Sequence, residues 1–340
     1  MPQLCEVFNT NELINYFKER KVKPMFGEAL FPERKIPDVE FDMILGRGGL
    51  PVSAEVYAFD TQTKLASRKA IEKGVQELAL IKRKIKIKEK ELIKINNPRT
   101  QGELKFVLQQ LYKDAEDLEM SIRVRVEKMR MEALSTGKIK IEENGVKVSL
   151  DYGVPKGNIK SFNWSHAENA KPLDDLTTLA DAVEDNGSRP TRALTSRKIV
   201  RTICKCKSIR EAIHGVNSAK TVTLAQLNEL LIDNNLPIFL TYEEKYEVEE
   251  KKGFSKQRYF PENVISMFGD GPLGETIYGL TAEEVKLIGS KKMDTAKMIG
   301  KIFVGTYTSE DPVGEFTKAA ATAIPSFPTA EDLGIANITM

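Results

Sequence analysis

The sequence predicts an α+β protein. Three observations carry that reading: a long uninterrupted helical period just beyond residue 100, an alternating pair of segments around Asn144-Gly145, and a mainly helical stretch at 172–233 followed by a β-rich one at 236–268. In GELKFVLQQLYKDAEDLEMSIRVRVEKMRMEAL (102–134), Leu104, Val107, Leu108, Leu111, Ala115, Leu118, Ile122, Val126, Met129 and Ala133 recur at steps of three and four. Good helix formers lie between them, with no proline. A helix of about 34 residues is roughly 50 Å long. That exceeds what a compact core of this size needs, so the pattern reads as a spine lying across a sheet, ended by Gly137.

From the N-terminus, FNTNELINYFKERK (8–21) reads as a short helix with Asn9 or Thr10 as its cap and Leu13, Ile14 and Phe17 on one face. Residues 22–51 then hold Pro24, Pro32, Pro37 and Pro51 with aromatics between them. Proline at that density prevents regular helix, so the segment reads as an extended arm that needs a surface to lie on. Residues 50–98 read as a β-rich excursion, with EVYAFD as one strand. Its most distinctive part is IKRKIKIKEKELIKI, Ile81 to Ile95, where Lys82, Lys84, Lys86, Lys88 and Lys90 occupy every second position. Period-two alternation gives one buried and one wet face, and lysine on an exposed strand discourages edge-to-edge pairing. A solvated face, a nucleic-acid contact and charged contacts with another subunit are all compatible with it.

After the spine, KIKIE and VKVSLDY alternate about the Asn144-Gly145 tight-turn signal, which predicts a hairpin. Residues 154–176 are loop-like and contain the single tryptophan, Trp164. The helical stretch 172–233 and the β-rich stretch 236–268, with a turn at KKGFSKQ, come next. GDGPLGETIYG (269–279) reads as a loop, and the C-terminal residues return to short strands.

The chemistry implied is sparse. With 51 basic and 49 acidic residues the net charge is +2, without the basic excess of a dedicated nucleic-acid binder. Three cysteines, Cys5, Cys204 and Cys206, do not form a disulfide framework and suit a reducing cytosol. Neither a secretory signal nor a transmembrane helix is expected. Gly269, Gly271 and Gly274 have the G-x-G-x-x-G spacing, but Pro272 and ETIYGL do not open a helix, so a turn is the better reading. GRGGLP (46–51) lacks the Lys-Ser/Thr pair of a phosphate loop. Cys204 and Cys206 point to different faces of a helix and lack a second pair, with His166 and His214 the only histidines. An enzyme built on Cys204 and His214 would need a depressed thiol pKa. Of the carboxylates Asp174, Asp175, Asp181 and Glu184, the first two are explained by a helix N-terminus. No catalytic, cofactor-binding or metal-ligating residue is assigned.

What remains is a proline-rich arm, a lysine-faced excursion, a spine helix and a mixed second domain. Arms and excursions that cannot bury themselves imply neighbours. Five segments resemble the major capsid protein of lambda-like tailed bacteriophages, the capsid E family. They are FDMILGRGGLPVSAEVYAFDTQTKLASRKAIEKGVQELALIKRKIKI, EKMRMEALSTGKIKI, NWSHAENAKPLDDL, RYFPENVISMFGDGPLGETIYG and DPVGEFTKAAATAIPSFPTAEDLGIANI. Their order spans nearly the whole chain.

The resemblance implies a Hong Kong 97-like phage capsid fold. It places an N-terminal arm at 1–40, an extended loop at 41–98, a peripheral domain with the spine helix at 99–170 and an axial domain at 171–304. The residues 305–340 would return to the peripheral domain. It implies a non-enzymatic major capsid protein without cofactors. Copies would assemble as pentamers and hexamers of an icosahedral shell around double-stranded DNA, in the host cytoplasm, away from membranes. Portal and scaffolding proteins, and in some relatives a decoration protein, would be partners. On this reading Ile81 to Ile95 is part of a loop hairpin on an adjacent subunit, with Lys82, Lys84, Lys86 and Lys88 toward solvent or that subunit's acidic patches. The alternative is a soluble nucleic-acid-binding protein that uses the basic strand 81–95.

Overall fold

The computed structural model describes residues 8–45, 72–87, 100–186, 189–250, 253–289, 300–310 and 313–340. EVYAFD, GRGGLP, Cys5, Lys88 and Lys90 lie outside them. Helix α1 (Thr10–Glu19) begins as its sequence requires: the Asn9 side chain accepts the Glu12 backbone N–H at 3.0 Å. The arm is not wholly extended. The residues between Pro24 and Pro32 form one helical turn, α2 (Phe26–Leu30), and strand β1 (Glu33–Lys35) follows Pro32. Proline is excluded from a helix interior, but five residues between two prolines are free to turn. Strands β2 (Glu40–Leu45) and β3 (Glu72–Glu77) pair, and β4 (Ala79–Ile87) follows.

The spine is α3 (Gln101–Thr136), 36 residues long, or about 54 Å. Seven of its ten period-defining residues, Leu111 through Ala133, are buried, while Leu104, Val107 and Leu108 are half-buried. Gly137, at φ +68°, ends it. Strands β5 (Lys138–Glu143) and β6 (Val146–Asp151) join across Asn144 and Gly145, both at positive φ as a tight hairpin demands. Then come β7 (Ile159–Asn163), α4 (Pro172–Glu184), β8 (Arg192–Thr195), α5 (Arg197–Lys205), α6 (Lys207–His214), α7 (Leu224–Asp233), β9 (Ile238–Thr241), β10 (Lys245–Glu250), β11 (Gly253–Arg258) and β12 (Val264–Phe268). The chain closes with β13 (Glu275–Gly279), α8 (Ala282–Gly289), β14 (Phe303–Glu310), β15 (Val313–Ser326) and β16 (Gly334–Thr339).

The supposed loop 154–176 contains strand β7, paired in parallel with β16, and three further elements differ from expectation. The helical stretch 172–233 contains strand β8, four residues in the interior of a sheet. The supposed loop 269–279 ends in β13, which pairs in parallel with β1. The supposed short C-terminal strands include β15, a single strand of 14 residues. Strands β8 and β13 are buried segments too short to show a period, and their identity is fixed by the strands beside them.

The chain forms two compact units. The first comprises residues within 1–41, 75–127 and 275–325. Its sheet has the order β1-β13-β15-β14, with β4 also on β15. Phe303 and Ala320 of this sheet share a core with Ile14 of α1 and Leu287 of α8. The second comprises residues within 42–74, 128–274 and 326–340. Its sheet has the order β7-β16-β12-β8-β9. Helices α4 to α7 cover one face through Leu179, Ile203, Ile209 and Leu227, packed on Phe239, Ile265 and Ala336. Helix α4 lies on β16 and β7, and α7 lies on β9. Gly334 permits that approach, since a Cβ there would stand 2.8 Å from Val183 Cγ2. On the opposite face Ser266 donates to the Leu134 carbonyl at 2.6 Å.

The chain passes between these units at 41/42, 74/75, 127/128, 274/275 and 325/326. Sheet pairing is the reason. Strand β16 is inserted between β7 and β12, and β13 is held by β1.

Candidate assembly surfaces

The arm finds its surface on its own chain. The Tyr16 hydroxyl donates to Glu116, and Arg20 reaches Glu116 at 3.3 Å and Glu119 at 3.1 Å. Burial pushes the Glu119 carboxyl up, and Arg123 and Arg20 only partly offset that. Further along, Arg123, 9% exposed, meets Glu28 at 2.5 Å and the Lys23 carbonyl at 3.3 Å. The fully buried Glu127 accepts the Gly27 N–H at 2.8 Å. Beyond α2, Lys35 pairs with Glu284 and Lys301 with Glu33. Arg123 and Glu127 were not singled out by the sequence pattern. Their position beside the apolar stripe carries no signal that an arm covers them.

Strand β4 has the alternation its sequence predicted. Ile81 and Ile85 are half-buried and Ile87 buried, while Lys82, Lys84 and Lys86 are exposed. Its described partner is β15 of the same chain, antiparallel from Ala79↔Ala323 to Ile87↔Glu315. Lys82 has an acidic neighbour within the chain: Glu283 of α8, at 3.5 Å, which also pairs with Lys318. Lys84 and Lys86 stand 5.1 and 6.0 Å from the Phe316 ring centre, and Phe316 is stacked on Tyr307. The strand thus presents a cationic, aromatic surface.

The other candidates have structural partners. The glycine loop 269–274 joins two strands and is held by Arg192, which donates to the Gly269 and Gly271 carbonyls at 2.6 and 2.7 Å. Cys206 is buried, donates to the Thr202 carbonyl, and has its pKa pushed up to about 11 by burial; Cys204 shifts the same way. That is opposite to an activated thiol. Asp175 accepts the Trp164 indole N–H at 2.7 Å. No helix among the described residues is long and apolar enough to cross a membrane.

A family model described as phage major capsid protein E matches residues 9–337. No curated protein sequence matches. Among solved structures, one described as a prophage capsid protein from Escherichia coli CFT073 superposes with TM-score 0.63 at 16% identity, covering 98% of this chain and 99% of that one. A phage-related protein from Bordetella bronchiseptica RB50 gives 0.55 at 10% identity over 97% of both chains. At such identities the likeness is one of fold, the Hong Kong 97-like capsid fold that the sequence led us to expect. The family match spans nearly the whole chain: it belongs to the phage major capsid protein E family, and it is a shell-forming capsid protein.

Proposed function

We propose that this chain builds the icosahedral head of a tailed bacteriophage or prophage, assembling with portal and scaffolding proteins in the host cytoplasm and, where present, a decoration protein. The family match over residues 9–337 is the observation that carries this reading. The peripheral domain (99–170, with 305–340 returning to it) carries the spine α3, and the axial domain (171–304) carries helices α4 to α7. The extended loop (41–98) reaches neighbouring subunits, whereas the described part of the arm (1–40) lies on its own spine. Lys82, Lys84, Lys86 and Lys88 are assigned to that contact; the exposure of the first three supports it. Packaged DNA is enclosed without sequence-specific binding, in line with a net charge of +2. No reaction step is assigned, in line with thiols whose pKa values are raised.

Each contact can be weak, because a subunit makes many at once. The test is expression in a bacterial host, alone and with the products of neighbouring genes, followed by electron microscopy. Closed particles, or rings of five and six, are expected. A monomer or dimer under every combination would refute the shell.

A further inference from the structure

The second unit carries two surfaces of opposite charge at opposite ends of its sheet. At one end α5 and the segment after α6 enclose a groove of about 550 Å³, with Thr241 of the edge strand β9 in its wall. Five cations line it, Arg197, Arg201, Lys205, Arg210 and Lys220, without one carboxylate. Its floor is apolar, formed by Val200, Val222 and Leu224. Arg197 is adjacent to Glu243, which accepts its backbone N–H, and Arg210 has a distant partner in Glu168 at 3.9 Å. Arg201, Lys205 and Lys220 have no acidic partner among the described residues. Arg210 Nε is buried without a hydrogen-bond partner. Cations gathered against an apolar floor repel one another, and an anion seated there relieves the cost.

At the other end, over β7 and β16, helix α4 turns an acidic side to solvent. Asp174, Asp181 and Asp185, seven and four residues apart, share one face, and Glu184 flanks it. Lys171 is 3.8 Å from Asp174 on open surface. Asp181, Glu184 and Asp185 have no cationic partner among the described residues. Glu184 and Asp185 stand at the helix C-terminus, where the dipole disfavours negative charge, and no basic residue occupies the last turn. Nothing local stabilises them.

Four strand steps, about 19 Å, separate the two edges of the sheet. Helix α4 packs on α6, yet none of its carboxylates lines the groove of its own chain. We propose that the groove of one copy receives the acidic face of α4 of a second copy. Such a contact is heterologous: it either closes into a ring or runs on as a filament. The proposal rests on the shell reading only in that the second copy is the natural neighbour.

The test uses the full chain with Arg201→Glu or Asp181→Lys, followed by sedimentation velocity at low ionic strength. Circular dichroism checks that both variants are folded. The wild type is expected to self-associate, and each variant to associate roughly tenfold more weakly or worse. An equimolar mixture of the two variants should recover association, because each altered surface then meets its opposite. Variants that associate like the wild type, a mixture that does not recover, or a monomeric wild type overturn the proposal. So does a loss of duplex DNA binding in R201E with self-association unchanged, which assigns the groove to phosphate. Closed particles formed equally well by R201E would leave the shell function standing and remove this contact. Rescue in the mixture without particle formation would keep the contact and remove the shell.

Discussion

Replacing Arg123 with alanine should free the arm from the spine without unfolding the second unit. Arg123 and Glu28 are 10% and 16% exposed as side chains, and their closest atoms are 2.5 Å apart. Removing one partner of a buried ion pair costs about 3–5 kcal/mol, because the other charge is left desolvated. Some exposure lets water reach Glu28 once the guanidinium is gone, so about 2–3 kcal/mol is expected here. At 1.4 kcal/mol per factor of ten, the arm segment should open about 30- to 150-fold more often. Hydrogen exchange reads this directly at two amides: Gly27, which donates to Glu127, and Phe31, which donates to the Gly27 carbonyl at 2.8 Å. Exchange in β12, inside the other unit, should stay as it is. The double variant R123M/E28L removes both charges and keeps much of the volume, so it should recover most of the protection. If R123A speeds exchange at Gly27 and Phe31 less than about threefold, or if the double variant is as open as the single, the ion pair does not hold the arm.

The remaining predictions concern single contacts. Gly334→Ala should destabilise the second unit by about 1–3 kcal/mol, since the new Cβ meets Val183 Cγ2 at 2.8 Å. Adding Val183→Ala should recover part of that in a urea titration if the cause is steric. Trp164→Phe should cost about 2–4 kcal/mol, because a fully buried ring shrinks and Asp175 loses its indole donor; a thermal melt of the variant checks it. For Glu283, burial pushes the carboxyl up, but Lys318, a backbone N–H and Lys82 outweigh it and hold its folded pKa below the ordinary 4.5. Its stabilisation is thus present above the unfolded value and lost as pH falls through the folded one. Glu283→Gln should lower the urea midpoint at neutral pH, with the gap closing in acid.

The spine and the 138–151 hairpin were legible because their signals are local: ten apolar positions in register, and an Asn-Gly pair whose backbone preference dictates the turn. The alternation of β4 was legible for the same reason. The acidic neighbour of Lys82 was not, because Glu283 lies some 200 positions away in sequence and reaches Lys82 only through the β4–β15 pairing. Strands β8 and β13 were missed where burial on both faces erases alternation. Glu127 and Arg123 were missed because a charged residue beside an apolar stripe has the same sequence signature whether water or another segment lies over it.

A net charge of +2 conceals how that charge is sorted. Around α5 the cations gather, along α4 the carboxylates, and between arm and spine the two signs are paired and buried. These three arrangements should respond differently to salt. Exposed charges on separate surfaces act through solvent and are screened beyond about 8 Å at physiological ionic strength, so any association they drive should fall as salt rises. The Arg123–Glu28 pair is shielded from counterions by the groups packed over it, so protection of Gly27 and Phe31 should hardly change over the same range. Sedimentation and hydrogen exchange across one salt series separate the two. Association that is flat in salt would mean that apolar contacts, not the sorted charges, join the copies. Arm protection that falls with salt would mean that water and ions already reach Arg123, and that the arm is held by something other than a buried pair.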